Sequence, residues 1–314
     1  MSIINNTDIE NNSIYHYDIC IVGSGMSGQI IASEIKNKKV VIVESGSFDK
    51  NNKIEKLNEI NLSGLKLREY NQNRIRQIGG SANLWANQLM MLNENDFEKR
   101  TWIDEKQIYP VNIDQLKTYY LKVIKKVFNN NLENFNNILK VKTADENSVN
   151  NEFINKNTFD VNYHFWPSKV EKFNCKSKFT KKLLKLNFLD FLVNFTATKL
   201  NINDQSKKLT SIDFLSGDKK INIKANVFIL SCGAIENARI LLNNIPQNKI
   251  LDNHNIGKYF MEHPRTTIGI IKKKDNIPLN LFFGKKYYNY SVRQSLAFTK
   301  DYIHQNKVLN SYAF

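Results

Sequence analysis

The stretch Tyr17-Asp18-Ile19-Cys20-Ile21-Val22-Gly23-Ser24-Gly25-Met26-Ser27-Gly28, with Lys39-Val40-Val41-Ile42-Val43-Glu44 after it, decides the fold. Residues 17–22 are a short apolar run and predict a buried strand. Met26, Ile30, Ile31 and Ile35 recur at helical spacing, so 26–36 reads as a helix. Residues 39–44 predict a second buried strand, closed by Ser45-Gly46. Strand, glycine turn, helix and strand within about 28 residues make a βαβ unit.

Gly23-Ser24-Gly25-Met26-Ser27-Gly28 is a G-x-G-x-x-G in the setting that this motif requires. Gly23 is expected to make the tight turn, Gly25 to let a pyrophosphate approach the backbone, and Gly28 to let helix and strand pack closely. The helix N-terminus adds free N–H groups and a partial positive charge. Glu44 ends the second strand, where a carboxylate reaches ribose hydroxyls and disfavours a 2′-phosphate. The unit predicts a dinucleotide site and leaves FAD and NAD undivided.

Outward from this unit, residues 74–88 read as a loop around the pair Gly79-Gly80. The clearest helix is 115–128, with Leu116, Tyr119, Tyr120, Val123, Ile124, Val127 and Phe128 on one face. Residues 129–160 are Asn-rich and read as a long surface connection. Three apolar runs between 191 and 230, split at 204–207 and 216–218, predict an antiparallel meander. Residues 227–230 then predict a buried strand that leads through Ser231-Cys232-Gly233 into a helix at 234–242. Residues 1–14 are polar and read as a flexible leader.

The 314 residues carry 45 Lys+Arg against 30 Asp+Glu, a net charge of +15. The excess is Lys spread along the chain, including Lys36, Lys38 and Lys39, so it reads as a solvated surface and not as a nucleic-acid stripe. With 41% hydrophobic and 24% charged residues the composition is globular. Cys20, Cys175 and Cys232 stand too far apart for a disulfide framework or a structural metal site, and no metal is expected. No window reaches the roughly 18–20 apolar residues that span a bilayer. The N-terminus lacks a basic start and an apolar run, so a cytoplasmic setting is expected.

Three further segments share one resemblance. Gly79-Gly80-Ser81-Ala82-Asn83-Leu84-Trp85-Ala86-Asn87-Gln88, the meander with FILSCGAIENARILL at 228–242, and Asn255-Ile256-Gly257-Lys258-Tyr259-Phe260-Met261-Glu262-His263-Pro264 follow the βαβ unit in order. Together the four resemble the glucose–methanol–choline (GMC) family of flavin oxidoreductases. The resemblance implies an α/β fold: a Rossmann-like FAD-binding domain with a parallel sheet and an antiparallel meander, and an inserted, incomplete α+β substrate domain. Residues 15–100 and 170–262 would form the first, 101–169 and 263–314 the second, truncated region. Gly23, Ser24, Gly25, Ser27 and Gly28 would hold the pyrophosphate and Glu44 the adenosine ribose, with Met26 and Ser45 also among the cofactor-binding residues. Gly79, Gly80 and Ser81, then Leu84, Trp85, Ala86 and Asn87, would pass beside the isoalloxazine and its linking chain. Ala197 would meet the adenine, and Cys232 and Gly233 would close over the cofactor. Some members attach flavin through a His in the second segment; this segment has none, so non-covalent FAD is expected.

The same resemblance implies oxidation of a CH–OH group in a small alcohol or sugar-like substrate, with hydride passing to flavin N5 and onward to an unidentified electron acceptor. In the family the proton acceptor is a His, with a second His or Asn, near the C-terminus. Residues 265–314 hold no matching segment. His304 stands alone there, His263 reads as structural, and His16, His164 and His254 read as surface or loop residues, so no catalytic residue is assigned. The chain reads as the N-terminal portion of such an enzyme. The alternatives are a catalytically incomplete flavin-binding fragment or one half of a split enzyme, with a missing C-terminal half or partner chain; a basic module for an acidic partner is the remote third.

Overall fold

In the computed structural model the described residues are 2–64, 73–92, 94–103, 111–128, 154–167, 173–245, 253–261, 267, 269, 285–287 and 290–313. In chain order the elements begin with β1 (Ser2–Ile4), β2 (Ser13–Val22), α1 (Met26–Glu34), β3 (Val40–Glu44) and α2 (Asn52–Glu55). Next come α3 (Ile113–Phe128), β4 (Phe159–Pro167), α4 (Lys178–Leu183), β5 (Leu189–Val193), β6 (Thr196–Asn203), β7 (Lys208–Ser216) and β8 (Lys219–Leu230). The last are α5 (Ala234–Asn244), β9 (Lys285–Tyr287), β10 (Tyr290–Phe298), α6 (Lys300–Asn306) and β11 (Tyr312–Ala313). The chain divides into two units, Met1–Trp85 with Phe173–Arg265, and Ala86–Lys172 with Thr266–Phe314.

The first unit is built on a sheet in the order β1-β5-β3-β2-β8-β7-β6. Its β1, β5, β3, β2 and β8 are parallel, and β8-β7-β6 is an antiparallel meander. Alternate residues of the parallel strands feed opposite faces, as a period of two requires. Cys20, Val22, Val41, Val43 and Leu192 join Phe214, Ile221 and Ile240 on one side. Ile21, Val40, Ile42, Phe191 and Val193 join Ala32, Ile78 and Leu183 on the other. A parallel sheet covered on both faces explains why β3 is apolar from Val40 to Val43 and buried throughout. The C-terminal ends of β2, β3 and β8 lie in register, Val22 beside Val43 and Leu230.

Residues 1–14 are not a loose leader. β1 pairs with β5, Ile9 is buried, and the Lys219 ammonium donates to the carbonyls of Asn6 and Ile9. The strand expected at 227–230 is the end of the 12-residue β8, which serves the meander with its first half and the parallel sheet along most of its length. Val227 is 48% exposed, because β7 pairs only as far as Lys224. The first of the three expected runs is two strands, β5 and β6, broken where Asn194 turns with a positive φ.

In the second unit β11, β10 and β4 form an antiparallel sheet, with β9 also paired to β10. Leu89 bridges to Phe165, which is why this unit begins at Ala86 and not near residue 100. α3 packs Ile124 against Tyr163 and Phe165. Tyr119 falls off that face and is 60% exposed, with the Lys122 ammonium over its ring. The expected connection ends earlier than residue 160, since β4 starts at Phe159; residues 129–153 lie outside the described residues. His164 is no surface residue. It is buried in β4, its ring nitrogens 2.8 Å from Gln88 Nε2 and 2.7 Å from Ser295 Oγ. Burial lowers its pKa to about 4. No helix among the described residues is long and apolar enough to cross a membrane.

Candidate functional site

The aligned ends of β2, β3 and β8 open into a cleft of about 550 Å³, within the range of small-molecule sites. Gly23 leaves β2 with φ +98°, a left-handed conformation that favours glycine. A Cβ at Gly28 would fall 2.3 Å from the Gly23 carbonyl oxygen, so α1 can approach β2 this closely only with glycine there. α1 starts at Gly25, which has no side chain to cap it, and α5 starts in the same way at Gly233. Two sets of orphan N–H groups therefore stand at one cleft. The second glycine segment lies against the first, with the Gly79 amide donating to the Ser24 carbonyl at 3.0 Å.

Of the residues expected to hold the cofactor, Gly23, Gly25, Met26, Ser27, Glu44, Ser45, Gly79, Gly80, Ser81, Trp85, Ala197, Cys232 and Gly233 line this cleft. Of the other five, Ser24, Gly28 and Leu84 lie outside the lining, and Ala86 and Asn87 belong to the second unit. Ser24 is fully buried and turned inward: its N–H and Oγ both donate to Glu44, at 2.9 and 2.7 Å, so neither is left for a pyrophosphate. Gly28 sits beneath α1, where it lets helix and strand pack closely as the motif predicts. Leu84 is 48% exposed and outside the lining; Ala86 is exposed. Asn87, in the second unit, is buried with a positive φ, and both atoms of its amide lack a partner. His304 stands on α6 in the second unit, 3.4 Å from a Glu98 carboxylate oxygen and edge-on to Trp102. His16 and His254 are exposed, and His263 lies outside the described residues.

The cleft also has a charged wall that no sequence motif marks. Arg74, Arg76 and Arg239 all reach the Glu236 carboxylate, at 2.9, 2.8 and 2.8 Å, and all four line the cleft. Burial pushes the Glu236 carboxyl up, but Arg76 and Arg239 more than offset this and hold it below the usual carboxylate range. Arg76 also donates to Asn58 Oδ1 and Ser45 Oγ, tying the exit of β3 to α5. Arg74 Nε is buried without a partner. Glu236 and Arg239 are a local i,i+3 pair, but no local pattern announces the rest, since Glu236 follows Arg76 by 160 residues and Arg74 by 162. Cys232 donates its thiol to the Val22 carbonyl at 3.1 Å, and burial, then Glu44 and Glu236, push it up to about 12. It is a protonated wall residue and not a nucleophile.

A family model described as GMC oxidoreductase matches residues 68–265, more than half of the chain. The chain belongs to the GMC oxidoreductase family. Members of the GMC family bind FAD, and the first unit is a Rossmann-like FAD-binding fold. Among solved structures, pyridoxine 4-oxidase from Mesorbium loti matches with 16% identity and a TM-score of 0.45, over 72% of this chain and 51% of that one. A variant of formate oxidase from Aspergillus oryzae RIB40 matches with 14% identity and a TM-score of 0.45, over 75% and 48%. The GMC chain described above thus spans about half the length of the solved structures it matches. No curated protein matches it by sequence.

The lining fits FAD. A Cβ on Gly25 would meet only the Ser231 carbonyl oxygen, at 3.8 Å, and one on Gly233 would meet nothing within 4 Å, so both backbones are open to a phosphate. The two uncapped helix starts and the unpartnered Arg74 Nε supply donors for it.

Proposed function

We propose that this chain binds FAD non-covalently and is the cofactor-holding part of an oxidoreductase acting on CH–OH groups of an alcohol or sugar-like substrate. The observation that carries this reading is the meeting of two uncapped helix N-termini and two glycine turns at one cleft, beside Glu44. Bound FAD supplies the hydride acceptor. The residues of this chain do the holding. The N–H groups of α1 and α5 meet the pyrophosphate, Glu44 the ribose, and Ala197 with Ile240 the adenine end, where apolar walls exclude water. Non-covalent binding is supported by a described lining without His or Tyr, in which the Cys232 thiol is held protonated.

The test is the visible spectrum of the purified chain, followed by heat denaturation. Flavin released into the supernatant and a colourless pellet are expected. Colour that stays with the pellet would refute non-covalent binding. A chain that remains colourless after incubation with excess FAD would refute the cofactor reading.

A further inference from the structure

Glu44 carries an accounting problem at its carboxylate, where the reading above places the adenosine ribose. An ionised carboxylate has about four acceptor positions. All four are taken by the chain itself. Oε2 accepts from the Ser24 N–H at 2.9 Å and the Ser24 hydroxyl at 2.7 Å. Oε1 accepts from the Gly46 N–H at 3.1 Å and the Ser45 hydroxyl at 3.2 Å. The two N–H donors are backbone and hold the glycine turn and the exit of β3 in place. Only the hydroxyls can yield, and they are not equivalent. Ser24 is fully buried and its bond is short, so a released hydroxyl would lose its partner without reaching water. Ser45 lines the cleft, its bond is long, and its oxygen also accepts from Arg76 Nη1 at 3.1 Å, a partner it keeps after turning away.

We infer that Ser45 is a stand-in for one ribose hydroxyl and Ser24 a lock against the other, so that Glu44 binds the ribose asymmetrically through Oε1 alone. This rests on the FAD reading above. One hydroxyl of the ribose displaces the Ser45 hydroxyl and donates to Oε1; the second finds Oε2 already filled. The stand-in keeps the carboxylate satisfied in the empty cleft, and its displacement reduces what the first ribose hydroxyl contributes.

Calorimetric titration of the 314-residue chain with ADP, 2′-deoxy-ADP and 3′-deoxy-ADP tests this without any variant. One deoxy nucleotide should bind about 3- to 10-fold more weakly than ADP, and the other within about 2-fold of it, the sizes of an exchanged and an unmade hydrogen bond. In Ser45→Ala, ADP should bind about 3- to 10-fold tighter; in Ser24→Ala, both deoxy nucleotides should be penalised. Equal losses for the two deoxy nucleotides in the unaltered chain would overturn the asymmetry, and weaker ADP binding in Ser45→Ala would overturn the stand-in. Failure of ADP and FAD alike to bind would instead remove the FAD reading, and the inference with it.

Discussion

Gly25 and Gly28, three residues apart in one motif, should fail in opposite ways when a methyl group is added. At Gly28 a Cβ would lie 2.3 Å from the Gly23 carbonyl oxygen, 2.6 Å from Ser231 Oγ and 3.3 Å from Ile21 Cγ2. The Ser231 side chain can turn, but the Gly23 carbonyl is backbone, so α1 must lift from β2. Overpacking of this kind costs about 1–3 kcal/mol. In a unit of this size each kcal/mol moves the melting temperature by about 2–4 °C, so Gly28→Ala should melt roughly 2–12 °C lower without cofactor. Gly25 has φ −61° and ψ 178°, which alanine adopts freely, and its Cβ would touch only the Ser231 carbonyl oxygen at 3.8 Å. The reduced freedom of the unfolded chain can even stabilise Gly25→Ala, by about 0.4–1 kcal/mol. The same methyl group stands where the phosphate of the proposed FAD would meet the first turn of α1. One or two charge-assisted hydrogen bonds, at about 1.5–3 kcal/mol each, are then lost, weakening FAD by at least about 10-fold. Thermal melts of the cofactor-free chains and FAD titrations by quenching of flavin fluorescence read the two effects separately. A Gly25→Ala chain that melts well below the parent, or a Gly28→Ala chain that melts with it, would refute the geometry; undiminished FAD binding in Gly25→Ala would refute the site.

Two further outcomes are expected. His164 has a folded pKa near 4 against an ordinary 6.5, so the unfolded chain binds more protons between those values. Its contribution is complete above about pH 6.5 and falls by about 2 kcal/mol, after allowance for solvent screening, as pH drops toward 4; urea unfolding of parent and His164→Gln at pH 5 and 7.5 should show a steeper loss in the parent, and parallel losses would refute it. Glu236→Gln leaves three arginines without their shared counter-charge, and urea unfolding at pH 7 should show a loss of about 3–5 kcal/mol, whereas a loss under about 1 kcal/mol would mean that solvent already screens the cluster.

The βαβ unit was legible because its signals are local: glycine spacing, apolar runs and a terminal carboxylate within one supersecondary unit. The meander was legible for the same reason, its turns marked at 204–207 and 216–218. What the sequence hid was set by distant partners or by side-chain direction. Ile3 and Ile4 look like part of a polar leader until β5 supplies the edge on which they pair. Ser24 stands in a phosphate-binding motif, yet the turn points it at Glu44. The arginine wall depends on α5 returning to a loop far earlier in the chain. β4, by contrast, could have been read, since Phe159, Val161, Tyr163 and Phe165 alternate cleanly with Asp160, Asn162 and His164.

The strand order has a consequence for how the protein is made. β2 finds one parallel neighbour in β3 almost at once, but its other neighbour, β8, is synthesised about 200 residues later. At ordinary elongation rates of about 5–20 residues per second, that is roughly 10–40 s during which an apolar strand leaves the ribosome with one edge bare. The wall of the cleft made by Ser231, Cys232 and α5 is translated later still. The cofactor therefore has nothing complete to bind during most of synthesis and cannot guide the early steps. A nascent chain stalled before β8 should depend on chaperones whatever the supply of flavin in the cell.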